Sequence, residues 1–107
     1  MPTLAEIRTR RVEHQRDFGV SPFIADMMIV REHKPKASIT YAILLGYLRR
    51  SGPNGAFLAD LCRTIAGNPD DSGVNAAASS LREMGLITFH ERKRPGGYRM
   101  TINDEST

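Results

Sequence analysis

Cysteine is nearly absent from the chain. Cys62 is the only one in 107 residues, so no intrachain disulfide can form and a reducing compartment is the expected setting. No apolar run approaches the roughly 18 residues that a membrane span needs. The opening stretch, MPTLAEIRTRRVEHQR, lacks the apolar core of a secretory signal. Glu6, Glu13 and Asp17 among its arginines argue against a transit peptide. These absences lead to the expectation of a cytoplasmic protein with no membrane partner. Catalytic signatures are lacking as well. Gly96-Gly97 precedes a strand pattern rather than a helix, so there is no phosphate-cradling Gly loop. His14, His33 and His90 fall on separate elements without the Cys or carboxylate spacing of a zinc site. No Ser-His-acid or Cys-His set is suggested by spacing. The expectation is a protein with no catalytic residues, no metal and no cofactor, and so not an enzyme.

What is present is ordinary for one soluble domain: 40% hydrophobic and 25% charged residues. A net charge of +3 and a pI near 9.4 permit a polyanionic partner without demanding one. Where the charges sit therefore matters more than their sum.

From the start, Thr3 with Glu6 three positions on has capping-box spacing and predicts a helix to about residue 17, ended by Gly19. Its apolar content is thin (Leu4, Ile7, Val12, Phe18), and Arg8, Arg10, Arg11 and Arg16 predict a mostly solvated helix or a basic arm. Ser21-Pro22 starts a second helix with Phe23, Ile24, Met27 and Met28 on one face, although the run Met27–Val30 also fits a short strand. Lys34-Pro35-Lys36 then marks an internal boundary. Residues 1–36 are expected to be a helical extension used for dimerisation or as a basic arm, residues 37–102 the main domain, and residues 103–107 a disordered tail.

In the main domain Ser38 is expected to cap a helix from Ile39 to about Arg50. Its predicted inward stripe is Ile39, Ala42, Ile43, Gly46 and Tyr47, widened by Leu44, Leu45 and Leu48. Arg49 and Arg50 suit its C-terminal dipole. The turn cluster Ser51–Gly55 leads through Ala56-Phe57 to a helix over Leu58–Ala66, with Leu58, Leu61, Cys62 and Ile65 inward. After Gly67–Asp71, a helix capped by Asp71 or Ser72 carries the stripe Val74, Ala77, Ala78, Leu81, Met84 and stops at Gly85. Ile87 and Phe89 alternate with polar residues, as do Tyr98, Met100 and Ile102. Arg92-Lys93-Arg94-Pro95-Gly96-Gly97 lies between them as a charged hairpin turn.

Three helices followed by a basic β-hairpin resemble a winged helix-turn-helix domain, with Val74-Asn75, Leu81 and Gly85-Leu86-Ile87 in the register of MarR-like and related bacterial regulators. Leu58-Ala59-Asp60-Leu61 is similar to the second helix of that family. The resemblance spans roughly residues 38–102. It implies a mainly α fold with a β-hairpin wing (α+β), carrying extra N-terminal helices. It also implies a homodimeric regulator of transcription that binds double-stranded DNA. Helix 72–84 would enter the major groove, and the wing, residues 88–102, would reach phosphates or a minor groove. The implied contacts are Ser72 with the helix N-terminal amides on a phosphate, Asn75, Ala76, Ser79 and Arg82 along the helix, and Arg92, Lys93, Arg94 and Arg99 on the wing. Ala76 and Ser80 stand where such families often carry Arg. That short-chained face also suits a protein-interaction module, such as an adaptor or a subunit of a replication or phage complex.

Overall fold

The computed structural model describes residues 3–90 and 98–103. Within them run five α-helices: α1 (Leu4–Phe18), α2 (Pro22–His33), α3 (Ile39–Ser51), α4 (Leu58–Ala66) and α5 (Ser72–Glu83). There are also three strands, β1 (Ala56–Phe57), β2 (Ile87–His90) and β3 (Arg99–Ile102). The fold is mainly helical with a small antiparallel sheet, an α+β arrangement. Among the described residues no helix is long and apolar enough to cross a membrane.

The helix ends follow local chemistry. The Thr3 hydroxyl accepts from the Glu6 amide (3.1 Å) and the Ser21 hydroxyl from the Ile24 amide (3.3 Å), each satisfying an orphan donor of a first turn. Pro22 occupies the opening turn of α2, and the Met27–Val30 run is helical rather than extended. Gly19 closes α1 in the left-handed conformation, its N–H donating to the Gln15 carbonyl (2.8 Å). After α5 the Leu86 amide bonds back to the Leu81 carbonyl and the Gly85 amide to that of Arg82, with Gly85 at φ 82°. This pair of bonds is a Schellman motif, which turns the chain sharply into β2. Ser38 stands at the start of α3, but its side chain makes no capping hydrogen bond.

β3 is the central strand, paired antiparallel with β1 on one side and β2 on the other. Pairing sets Ile87 opposite Ile102 and Phe89 opposite Met100 on the core face, and Thr88 opposite Thr101 and His90 opposite Arg99 on the outer face. The two-residue β1 was not anticipated as a strand. It exists because Ala56 and Phe57 pair with Met100 and Arg99, and because the Leu58 amide reaches the Tyr98 carbonyl (2.9 Å).

One hydrophobic cluster draws on both sides of the Lys34–Lys36 turn. Ile7 of α1 and Ile29 and Val30 of α2 join Leu44, Leu45, Leu48, Leu61, Leu81, Leu86 and Met100. Burial of each large aliphatic side chain contributes about 1.5–3 kcal/mol. The stripes predicted for α4 and α5 are inward as expected: Leu58, Leu61 and Cys62 are buried, and so are Val74, Ala77, Ala78, Leu81 and Met84. The stripe predicted for α3 is corrected. Leu44, Leu45 and Leu48 face the core, whereas Ile39 is 75% exposed and Ile43 and Tyr47 are about two-fifths exposed. The core lies on the side where α3 meets α5 and β3. α2 packs along α3 as well, with Phe23 near Gly46.

The charged residues of α1 also divide differently from expectation. Arg8, Arg10 and Arg16 are exposed, but Arg11 is buried. Its Nε donates to Oδ1 of the fully buried Asp26 (2.7 Å), whose Oδ2 accepts from Arg49 Nη2 (2.5 Å). Arg49 therefore answers a carboxylate of α2 rather than only its own helix dipole. Arg11 Nη1 also donates to the Asn103 carbonyl (2.9 Å). Asn103, expected in the tail, is instead a junction. Its Nδ2 donates to the Gly85 carbonyl (2.7 Å), its amide to that of Leu86 (2.9 Å), and its Oδ1 accepts from the Thr88 hydroxyl. Residues 104–107 lie outside the described residues.

Candidate nucleic-acid interface

α5 rests its apolar stripe on α3 and α4 and turns the opposite face to solvent. Its N-cap is Asp71, whose Oδ2 accepts from the Val74 amide (2.9 Å). This bears on the expectation that Ser72 and the first amides would hold a phosphate. The chain's own carboxylate already takes the Val74 N–H, and Asp70 adds a second negative charge beside it. Ser72 itself is exposed in the first turn.

The predicted base-reading residue Asn75 is half-buried, and its Nδ2 donates to the Asp71 carbonyl four residues back (2.9 Å). One amide proton is thus committed to the helix start, which fixes the side chain's orientation and leaves one N–H and Oδ1 for any other partner. Ala76 is exposed and Ser79 half-buried, so both border the open face. Arg82 is exposed, but its guanidinium lies 4.8 Å from the centre of the Phe89 ring, leaning toward β2. Such stacking holds a cation by about 0.5–1 kcal/mol at an exposed site, weak enough to yield to a better partner.

Of the four predicted wing cations, Arg92, Lys93 and Arg94 lie outside the described residues. Arg99 is described, and its Nη1 donates to the Asn54 carbonyl (3.0 Å) across the β1 edge. The base of the hairpin is firm. The Phe89 and Tyr98 rings sit 5.3 Å apart, and His90 Nε2 lies 2.8 Å from the Thr101 hydroxyl. The described ends of β2 and β3 are therefore held together, with β2 beside α5.

No family model, curated protein or solved structure matches this chain. What the surface can do rests on its own chemistry. The open face of α5 is short-chained, so another surface can approach its backbone closely. On the neighbouring α4, Arg63 pairs with Asp60 (3.0 Å). Among the described residues no group of three or more His, Cys, Asp or Glu is arranged to hold a metal ion. Cys62 is buried, and burial first, then the charge of Asp71, pushes its thiol pKa up. A raised pKa keeps it protonated and a poor nucleophile.

One juxtaposition escaped the sequence reading. The end of α2 comes alongside the end of α5, where His33 and Lys34 meet Ser80, Glu83 and Met84 around a cleft of about 250 Å³. Lys34-Pro35-Lys36 read as a boundary, and no periodicity in the sequence signals that this turn sits beside α5.

Proposed function

We propose that the chain is a winged-helix protein that binds double-stranded DNA as a transcriptional regulator, with α5 toward the major groove and the hairpin on the phosphate rows. The observation that carries this reading is connectivity. The order α3, β1, α4, α5, β2, β3, with the sheet ordered β1-β3-β2, supports a winged-helix reading. Its α5 has a solvent face beside β2, and the sequence between β2 and β3 contains Arg92, Lys93 and Arg94. Few side chains on α5 are long enough to read bases. Most of the affinity then comes from phosphate contacts, and selectivity comes from DNA shape and from pairing two copies.

Titration of a labelled random-sequence duplex between about 50 and 200 mM salt is the test. Binding should weaken steeply with salt. Arg92→Ala combined with Arg94→Ala should lower the slope of log affinity against log salt by about 1.8 and weaken binding roughly tenfold or more. Absence of binding at the low-salt end would reject the reading. So would a double variant that binds like the parent.

The homodimer belongs to the same proposal. Val12 and Phe18 on α1 and Ile24 on α2 are large apolar side chains left exposed. Light scattering on the full chain should give twice the 11.9 kDa chain mass. A mass of one chain at all concentrations tried would remove the dimer from the proposal.

A second reading, a protein-interaction module, is favoured by one observation. Asp71 occupies the α5 start and Ala76 stands open on its face, which suits close protein packing. It becomes the preferred reading if duplex binding is absent and Ala76→Arg abolishes capture of a protein partner.

A further inference from the structure

We propose that the α2–α3 turn, centred on Lys34 and Lys36, is a second phosphate-binding edge that grips duplex backbone beside the C-terminal end of α5. This rests on the DNA reading above and adds a site to it. The argument begins with how the described cations are used. Arg10, Arg11, Arg16, Arg49 and Arg63 are ion-paired with carboxylates. Arg31 and Arg99 donate to the backbone carbonyls of Pro35 and Asn54. Arg50 and Arg82 lie over the rings of Tyr47 and Phe89. Arg8 is likewise engaged. Lys34 and Lys36 are the two lysines among the described residues. Both are exposed, and neither has a carboxylate within ion-pair distance.

The turn is also held in place. The Arg31 guanidinium donates to the Pro35 carbonyl (3.0 Å), and the Ala37 amide to the Lys34 carbonyl (3.0 Å). Pro35 adds its own fixed φ. Two uncommitted ammonium groups are thus presented from a braced turn rather than from a loose arm. Position supplies the rest. Lys34 lines the cleft against Ser80 and Glu83 of α5, and Lys34 and Lys36 together line a shallower groove with Ser38 and Tyr41. A duplex whose major groove receives α5 carries a phosphate row past each end of that helix. The end marked by Ser80 is the one Lys34 flanks, with Lys36 two residues on in the same turn. Glu83 opposes them there, and His33 adds charge only when protonated, its Nδ1 being turned to the Ile29 carbonyl (3.0 Å).

The predicted ligand is duplex phosphate, read without base preference. Lys34→Ala with Lys36→Ala removes no side-chain hydrogen bond or ion pair to the described residues, so the thermal midpoint should stay within a degree or two of the parent. Its affinity for a random-sequence duplex should fall about tenfold or more at 0.1 M salt, with the salt slope reduced by about 1.8. Loss should be uniform across unrelated duplex sequences. The Arg92→Ala, Arg94→Ala variant is run beside it, and combining the two pairs should lower the slope by about 3.6. If the parent binds and the wing variant weakens it, but the lysine variant keeps parental affinity and slope, the second edge is overturned and the DNA reading stands. If the parent binds no duplex at low salt, both fall together.

Discussion

Asp26→Ala is expected to destabilise the protein by about 3–5 kcal/mol, the range for breaking a buried ion pair from one side. Asp26 is fully buried, with one oxygen on Arg11 from α1 and the other on Arg49 from α3. Removing the carboxylate takes from two guanidinium groups of low exposure, 4% and 16% for their side chains, the buried anion that they share. A domain of this size has roughly 5–15 kcal/mol of stability in total, so the loss is a large share of it. Urea denaturation should show a lower midpoint with an unchanged slope. Glu32 provides the contrast. It pairs with Arg10 and His14 while two-fifths exposed, and Glu32→Ala should cost about 0.2–1 kcal/mol. Similar losses for the two variants would show that the buried triad does not fasten α1 and α3 to α2. Replacing all three members by apolar residues of like volume separates penalty from net contribution. Near-parental stability there would mean that the charges chiefly fix the arrangement of the three helices.

That triad also marks where reading the sequence ran out. Helix limits were legible because caps act over three or four residues: Thr3 with the Glu6 amide, Ser21 with Pro22, Gly19, and Gly85 each carry their own signal. Arg11, Asp26 and Arg49 are 15 and 23 residues apart in sequence and meet only when three helices pack. The phase of α3 failed for a related reason. Ile39-Ile43-Tyr47 and Leu44-Leu45-Leu48 both satisfy helical spacing, and only the position of α5 and β3 decides which turns inward. At the candidate interface α5 and its stripe were legible, yet the fate of its polar residues was not. Asn75 and Asp71 both turn to nearby backbone, a competition that short polar side chains at a helix start commonly enter. The meeting of Arg82 with Phe89 depends on how β2 leaves the Gly85 turn, which no spacing reports.

Gly55→Ala is the second large expected effect, and it links the fold to the proposed interface. Gly55 sits at φ 65° and ψ −154°, a backbone region essentially reserved for glycine. A Cβ built there would lie 1.9 Å from the Met100 carbonyl oxygen and 2.8 Å from Thr101 Cγ2. The first of these is backbone of the central strand, so nothing at the end of a flexible chain can swing aside. The alanine must push β1 away from β3 or deform the hairpin. Gly52 is a matched control. It has φ 66° and ψ −153°, yet a Cβ there meets nothing within 4 Å. Gly52→Ala should therefore cost the backbone strain alone, about 1–3 kcal/mol. Gly55→Ala should cost that plus about 1–3 kcal/mol of overpacking, read as the difference between two urea midpoints. Equal losses would mean that the strand yields freely at Met100 and that β1 contributes little. The distinction reaches function because β3 carries the chain out of the basic turn and β1 is its outer support. If the DNA reading holds, Gly55→Ala under conditions where it remains folded should lose part of the hairpin's share of duplex binding. Gly52→Ala, equally strained but clear of the sheet, should retain it.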